Sequence, residues 1–145
     1  MNEDVKLLFD KLHESQMKYT YYLLGVDVVA IGFVITSNPV IVIEMKNIFL
    51  FITMLLLSIS FLFGCRYIEY INSFLYSNSE LIQIENGKRV EGLEYPAYRM
   101  AAIDGIKKAL EKNSERANKI GKWQTKTMLL GFLMYFVNII YLSNT

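Results

Sequence analysis

In the run YYLLGVDVVAIGFVI, residues 21–35, one carboxylic acid, Asp27, interrupts an otherwise apolar stretch. If that run enters a bilayer at Tyr19, Asp27 lies roughly 12 Å inside. An exposed carboxylate there costs a few kcal/mol or more, so it has to be neutral, paired or facing water. Thr53 and Asn138, in two other apolar runs, fall at a similar depth counted from the same side. The three predict a polar layer near the membrane midplane. Two uses stand for it: hydrogen-bonded glue between helices, with Asp27 neutral against Asn138 or a hydroxyl, or the lining of a water-filled ion path. Asp27 is the one acid or base inside the three runs, so a proton relay lacks a second member. Gly25 and Gly32 offer small surfaces for close helix approach.

A second pattern is basic. Lys108, Lys112, Arg116, Lys119, Lys122 and Lys126 recur at steps of three or four and so share one helix face. Such a face suits an anion: a nucleotide, an oligonucleotide backbone or lipid headgroups. It also suits plain solvation that sets membrane topology, because Asp104, Glu111 and Glu115 are interleaved and can pair with Lys108, Lys112 and Lys119. Trp123 is the one aromatic on this stretch for base stacking. Arg66, after Gly64 and Cys65, can reach headgroups or pair with Glu69.

Other chemistry is not provided for. One cysteine, Cys65, and one histidine, His13, cannot form an internal disulfide or a Cys/His zinc cluster. No glycine-rich phosphate loop, GxSxG elbow or histidine-containing triad occurs, so neither an enzyme nor a cofactor is expected.

The elements that have to position these residues follow from composition. Of 145 residues, 53% are hydrophobic and 20% charged, and two prolines leave few enforced breaks, which predicts a mostly helical chain. Three windows, 19–36, 47–64 and 127–142, are long and apolar enough to cross a thin bilayer. A run such as IFLFITMLLLSISFLF has no polar face, unlike a helix at the surface of a soluble bundle. Residues 1–18 lack the apolar core of a signal peptide and read as an amphipathic arm with Val5, Leu8, Phe9 and Leu12 on one side.

Lys and Arg then set the orientation. Three precede the first window (Lys6, Lys11, Lys18), one lies between the first two (Lys46), eleven lie from Arg66 to Lys126, and none follows. This positive-inside bias predicts a cytoplasmic N-terminus and an outer C-terminal tail. Tyr19, Tyr21, Tyr22, Trp123 and Tyr141 fall where an interfacial aromatic belt would.

Between the second and third windows the helical pattern continues. Ile68, Ile71, Leu75, Asn78 and Ile82 follow coiled-coil spacing, flanked by Tyr67, Phe74 and Leu81, and one helix is expected over about 47–85. Residues 86–92, NGKRVEG, read as a turn, and Pro96 suits the first turn of a return helix. That helix carries Met100, Ile103, Ile106, Leu110, Ala117 and Ile120 on one side and can run into the third window. The expected fold is an all-α integral membrane protein with four parts: a cytoplasmic arm (1–18), two transmembrane helices with a short outer loop (19–64), a long cytoplasmic antiparallel hairpin (65–126), and a third transmembrane helix with its tail (127–145). A two-helix hairpin cannot bury both apolar faces, so the arm or further copies of the chain are expected to cover it.

The segments KYTYYLLGVDVVAIGF, SFLFGCRYIEYINSFLYSNSELIQIENG and AIDGIKKALEKNSERANKIGKWQTK look like a group of small bacterial inner-membrane proteins. More loosely, paired spans with a long cytoplasmic helical segment resemble the SLATT-type membrane effectors of bacterial conflict systems. The membrane partner of the Hailong anti-phage system, which accompanies a nucleotidyltransferase, has a similar plan. The resemblance implies an oligomeric pore or membrane-depolarising effector of the inner membrane, gated by a nucleotide signal, with no ligand-binding residue carried over. A structural or adaptor membrane protein whose hairpin docks a soluble partner is the alternative.

Overall fold

The structure is a computed structural model that describes residues 3–37, 47–86 and 95–143. Three helices account for nearly all of them: α1 (Glu3–Ser37), α2 (Ile48–Glu85) and α3 (Pro96–Ser143). The loop around Pro39, expected to be an outer one, and most of the NGKRVEG turn lie outside the described residues, as do the side chains of Val5, Leu8, Phe9 and Leu12.

Local chemistry accounts for the helix ends. The Arg99 N–H donates to the Tyr95 carbonyl at 3.1 Å, which makes Tyr95 the N-cap and Pro96 the first helical residue. Proline is favoured there because its missing N–H would have no partner in the first turn anyway. Gly105 and Gly121 interrupt nothing, because α3 passes through both. At the other boundary, α1 is continuous across residues 18 and 19, so the arm and the first apolar window are one helix. An i,i+4 ion pair between Lys18 and Glu14, 2.7 Å apart, lies just before that junction.

The chain divides into two compact units, residues Met1–Cys65 with Gly121–Thr145, and residues Arg66–Ile120. In the first unit the three helices meet around Leu23, Leu57 and Met128, with Val26, Ala30, Ile31 and Phe132 packed against them. Phe33 meets Tyr135 edge-on at 6.0 Å, and Phe49 meets Tyr141 at 5.6 Å. These pairings make α2 antiparallel to α3, and α1 parallel to α3.

Glycine permits two close approaches in this unit. A Cβ on Gly64 would stand 2.5 Å from Gln124 Nε2 and 2.6 Å from Leu24 Cδ2; one on Gly131 would stand 3.0 Å from Leu57 Cδ2. Gly25 and Gly32, expected at such crossings, have no neighbour within 4 Å of that position. Of these glycines, the two at close helix crossings are Gly64 on α2 and Gly131 on α3.

In the second unit, α2 and α3 contact each other in opposite directions. Asn113 Nδ2 donates to Ser73 Oγ at 3.2 Å, the Arg116 guanidinium lies 5.9 Å from the centre of the Tyr70 ring, and Lys107 pairs with Glu85 at 3.3 Å. Leu81, Ile84 and Ala117 are buried. The α2 residues making these contacts are Tyr70, Ser73 and Glu85. The expected seam of Ile68, Ile71, Leu75, Asn78 and Ile82 is a neighbouring row, partly covered, with Ile82 exposed. Of the residues expected to flank that row, Leu81 is buried and Tyr67 and Phe74 are partly covered, and the packing extends from there to the polar atoms of Tyr70 and Ser73.

Each helix contains a window apolar enough and long enough to cross a membrane, and only 22%, 28% and 22% of those windows are buried. Val29, Phe33, Leu55, Leu62, Leu133 and Phe136 all point outward. Apolar surface on this scale is what a lipid solvent stabilises and water does not.

Candidate functional site

Several polar residues of the first unit face inward, although Ser58 of the second apolar window is exposed. Asp27, Thr53 and Ser60 are 0% exposed, Gln124 2% and Asn138 3%. This is the reverse of a water-soluble bundle, in which the polar groups take the outer face.

Asp27 is bonded by Ser60 of α2, whose hydroxyl stands 2.9 Å from Asp27 Oδ2 and 3.1 Å from the backbone carbonyl of Gln124 on α3. One hydroxyl thus links all three helices. The same carbonyl accepts from Thr127 Oγ1 at 3.0 Å, and that hydroxyl is also 2.9 Å from the Trp123 carbonyl. Two polar atoms of this cluster, Asp27 Oδ1 and Gln124 Nε2, are buried without a hydrogen-bond partner.

Thr53 and Asn138 are buried as the expected layer requires, but neither bonds Asp27. Thr53 Oγ1 donates to the Phe49 carbonyl of its own helix at 2.9 Å, and Asn138 Oδ1 has no partner. The side chain on α2 that meets Asp27 lies seven residues from Thr53, roughly 10 Å along the axis. On α3, Gln124 lies still further from Asn138 and precedes the expected third span. The Asp27 layer therefore lies at Ser60 of α2 and Gln124 of α3, away from the level of Thr53 and Asn138. The depth count erred because it assumed that the three apolar windows begin at one level. Ser60 and Gln124 were not singled out in sequence. A hydroxyl inside IFLFITMLLLSISFLF and a glutamine at the edge of an apolar window are the signals that mark them.

The cations of the predicted stripe are all exposed. Within the second unit, Lys108 pairs with Asp104 at 2.7 Å and Arg116 lies beside Tyr70, while Lys112 and Lys119 make no ion pair among the described residues. Within the first unit, Lys126 stands 5.4 Å from the centre of the Trp123 ring and Lys122 is exposed. Arg66 pairs with Glu69 at 2.7 Å. Cys65 is a free, half-buried thiol. Among the described residues no group of three or more His, Cys, Asp or Glu side chains could hold a metal ion.

A groove of about 700 Å³ opens beside α1, lined by Tyr22, Gly25, Val29, Phe33 and Phe136 among others. Its lining is almost wholly apolar, and Gly25 leaves it unfilled.

Fold and site together define an all-helical membrane protein that keeps an acid, a hydroxyl and an amide inside an apolar three-helix unit. Comparison of the chain with protein-family models, curated proteins and solved structures gives no match.

Proposed function

We propose that the chain is an oligomeric, membrane-depolarising effector of a bacterial inner membrane, with its N-terminus and the α2–α3 hairpin (65–126) in the cytoplasm. The observation that carries the reading is the sealed polar cluster of Asp27, Ser60 and Gln124, with two partnerless atoms inside an apolar helix trio. Polar groups enclosed between lipid-facing helices have the makings of an ion path, which in this reading the Ser60 bridge would hold shut. The partly covered row Ile68, Ile71 and Leu75 supports association with further copies. Lys108, Lys112, Arg116 and Lys119 are the exposed cations that would receive an anionic signal, such as a nucleotide or oligonucleotide from a partner nucleotidyltransferase in anti-phage defence.

Induced expression with a potential-sensitive dye tests this. Depolarisation that Asp27→Leu alters is the expected result; an intact potential in the presence of every candidate signal overturns it. Retention of the full chain on an oligonucleotide column, lost as salt rises and weakened by Lys112→Glu with Lys119→Glu, tests the signal site.

A second reading has its own observation. Tyr76, Tyr95, Tyr98 and Met100 are exposed in the second unit, with Tyr95 and Tyr98 edge-to-face at 5.9 Å. Exposed tyrosines of this kind suit docking to a soluble protein, the role of a membrane adaptor. Harmless over-expression, together with loss of a bound partner in Tyr98→Ala, would favour it.

A further inference from the structure

We propose that Asp27, Ser60 and the Gln124 carbonyl form a single-proton binding site that latches the three helices of the first unit together. The argument is a count of hydrogens. Ser60 Oγ lies within hydrogen-bond distance of two oxygens, Asp27 Oδ2 at 2.9 Å and the Gln124 carbonyl at 3.1 Å. A serine hydroxyl carries one hydrogen, and a carbonyl carries none. With Asp27 ionised, that one hydrogen is either divided between the two oxygens, as the Thr127 hydroxyl divides its own between the Trp123 and Gln124 carbonyls, or serves one of them alone. With Asp27 neutral, its own proton completes the first contact and the hydroxyl hydrogen the second.

The surroundings agree with the count. Asp27 is 0% exposed, its Oδ1 has no partner, and none of the ion pairs among the described residues involves it. A carboxylate so enclosed would keep a bare charged oxygen in an apolar site, whereas a neutral acid leaves only a carbonyl-type oxygen unpaired. The elements packed against Asp27 present Ser60 from α2 and the Gln124 carbonyl from α3, with Leu23, Leu57 and Met128 nearby. The nearest titratable groups along those elements are Cys65 on α2 and Lys122 and Lys126 on α3; Lys126 is engaged with Trp123.

This is a site for one proton and not a relay. Its loss leaves one hydrogen for two acceptors and a buried charge, and the site then has to admit water or part the helices. The inference does not depend on the effector reading, since it concerns how the unit is held whatever the unit does.

Infrared spectra of the full chain in lipid nanodiscs at neutral pH test it. The carbonyl stretch of a protonated carboxylic acid is expected in the wild type, lost in Asp27→Asn, and shifted to higher frequency in Ser60→Ala. Spin labels on Val28→Cys and Leu62→Cys, with Cys65→Ser, give the second readout. Their separation is expected to lengthen at alkaline pH with Asp27 present and to stay constant with Asp27→Asn, whose amide supplies the missing hydrogen at every pH. A wild-type-minus-Asn difference confined to carboxylate bands, or a label separation that does not depend on Asp27, overturns the proposal. Should Asp27→Asn fail to fold, the Ser60→Ala band shift decides alone: an unmoved band overturns it.

Discussion

At the scale of single residues, Ser60 does more than its size suggests. Its hydroxyl is the bond that joins α1 to α2 and to the backbone of α3. Ser60→Ala is therefore expected to destabilise the chain in detergent by about 1–3 kcal/mol, the usual cost of stripping a buried polar group of its partner. Thr53→Val is expected to cost about 1 kcal/mol or less, since the Thr53 hydroxyl bonds only to its own helix. Thermal unfolding of the two variants side by side checks the contrast. A double-mutant cycle of Ser60→Ala with Asp27→Leu should show coupling on the order of 0.5–3 kcal/mol, because the two side chains share one bond. Both Thr53 and Ser60 are equally buried, so burial alone does not rank them; the direction of the hydroxyl does.

At the scale of the helix, glycines and one arginine set the contacts. Gly64→Ala would drive a methyl group into Gln124 and Leu24, and is expected to cost about 1–3 kcal/mol. Gly131→Ala meets Leu57 at 3.0 Å and should cost less, while Gly25→Ala and Gly32→Ala meet nothing and should be neutral or stabilising by up to about 1 kcal/mol through helix propensity. The order of the four melting temperatures is the measurement. In the second unit, the Arg99 guanidinium donates to the Ile84 carbonyl and, at 3.4 Å, to the Glu85 carbonyl, two of the acceptors that the end of α2 leaves without helical partners. A cation there also opposes the negative end of the helix dipole. Arg99→Ala should fray this end, seen as faster amide exchange over residues 81–86, with exchange around Leu57 unchanged.

At the scale of the molecule, the solvent is the deciding quantity. Three apolar windows that stay largely unburied within the chain require lipid or detergent to cover them, so the full chain should resist alkaline carbonate extraction and precipitate when detergent is withdrawn. The proposed orientation makes a separate prediction. A reporter fused after Thr145 should be active outside the inner membrane and one fused before Met1 in the cytoplasm, as eleven cations from Arg66 to Lys126 against one between the first two windows require.

The sequence by itself determined the helices and their solvent. Apolar windows, two prolines and the break at NGKRVEG suffice for these, because helix formation and lipid partitioning depend on local composition. The start at Pro96 and the continuous run through Gly64 were both readable in this way. Tertiary structure alone decided which residues meet. That Asp27 meets Ser60 and Gln124, and not Thr53 or Asn138, depends on how far one helix is slid along another. Side-chain packing at Gly64 and Gly131 sets that offset, and no count along a single helix contains it. The contacts of Tyr70 and Ser73 in the second unit were not legible either: they are made through a ring face and a hydroxyl, which apolar periodicity does not register.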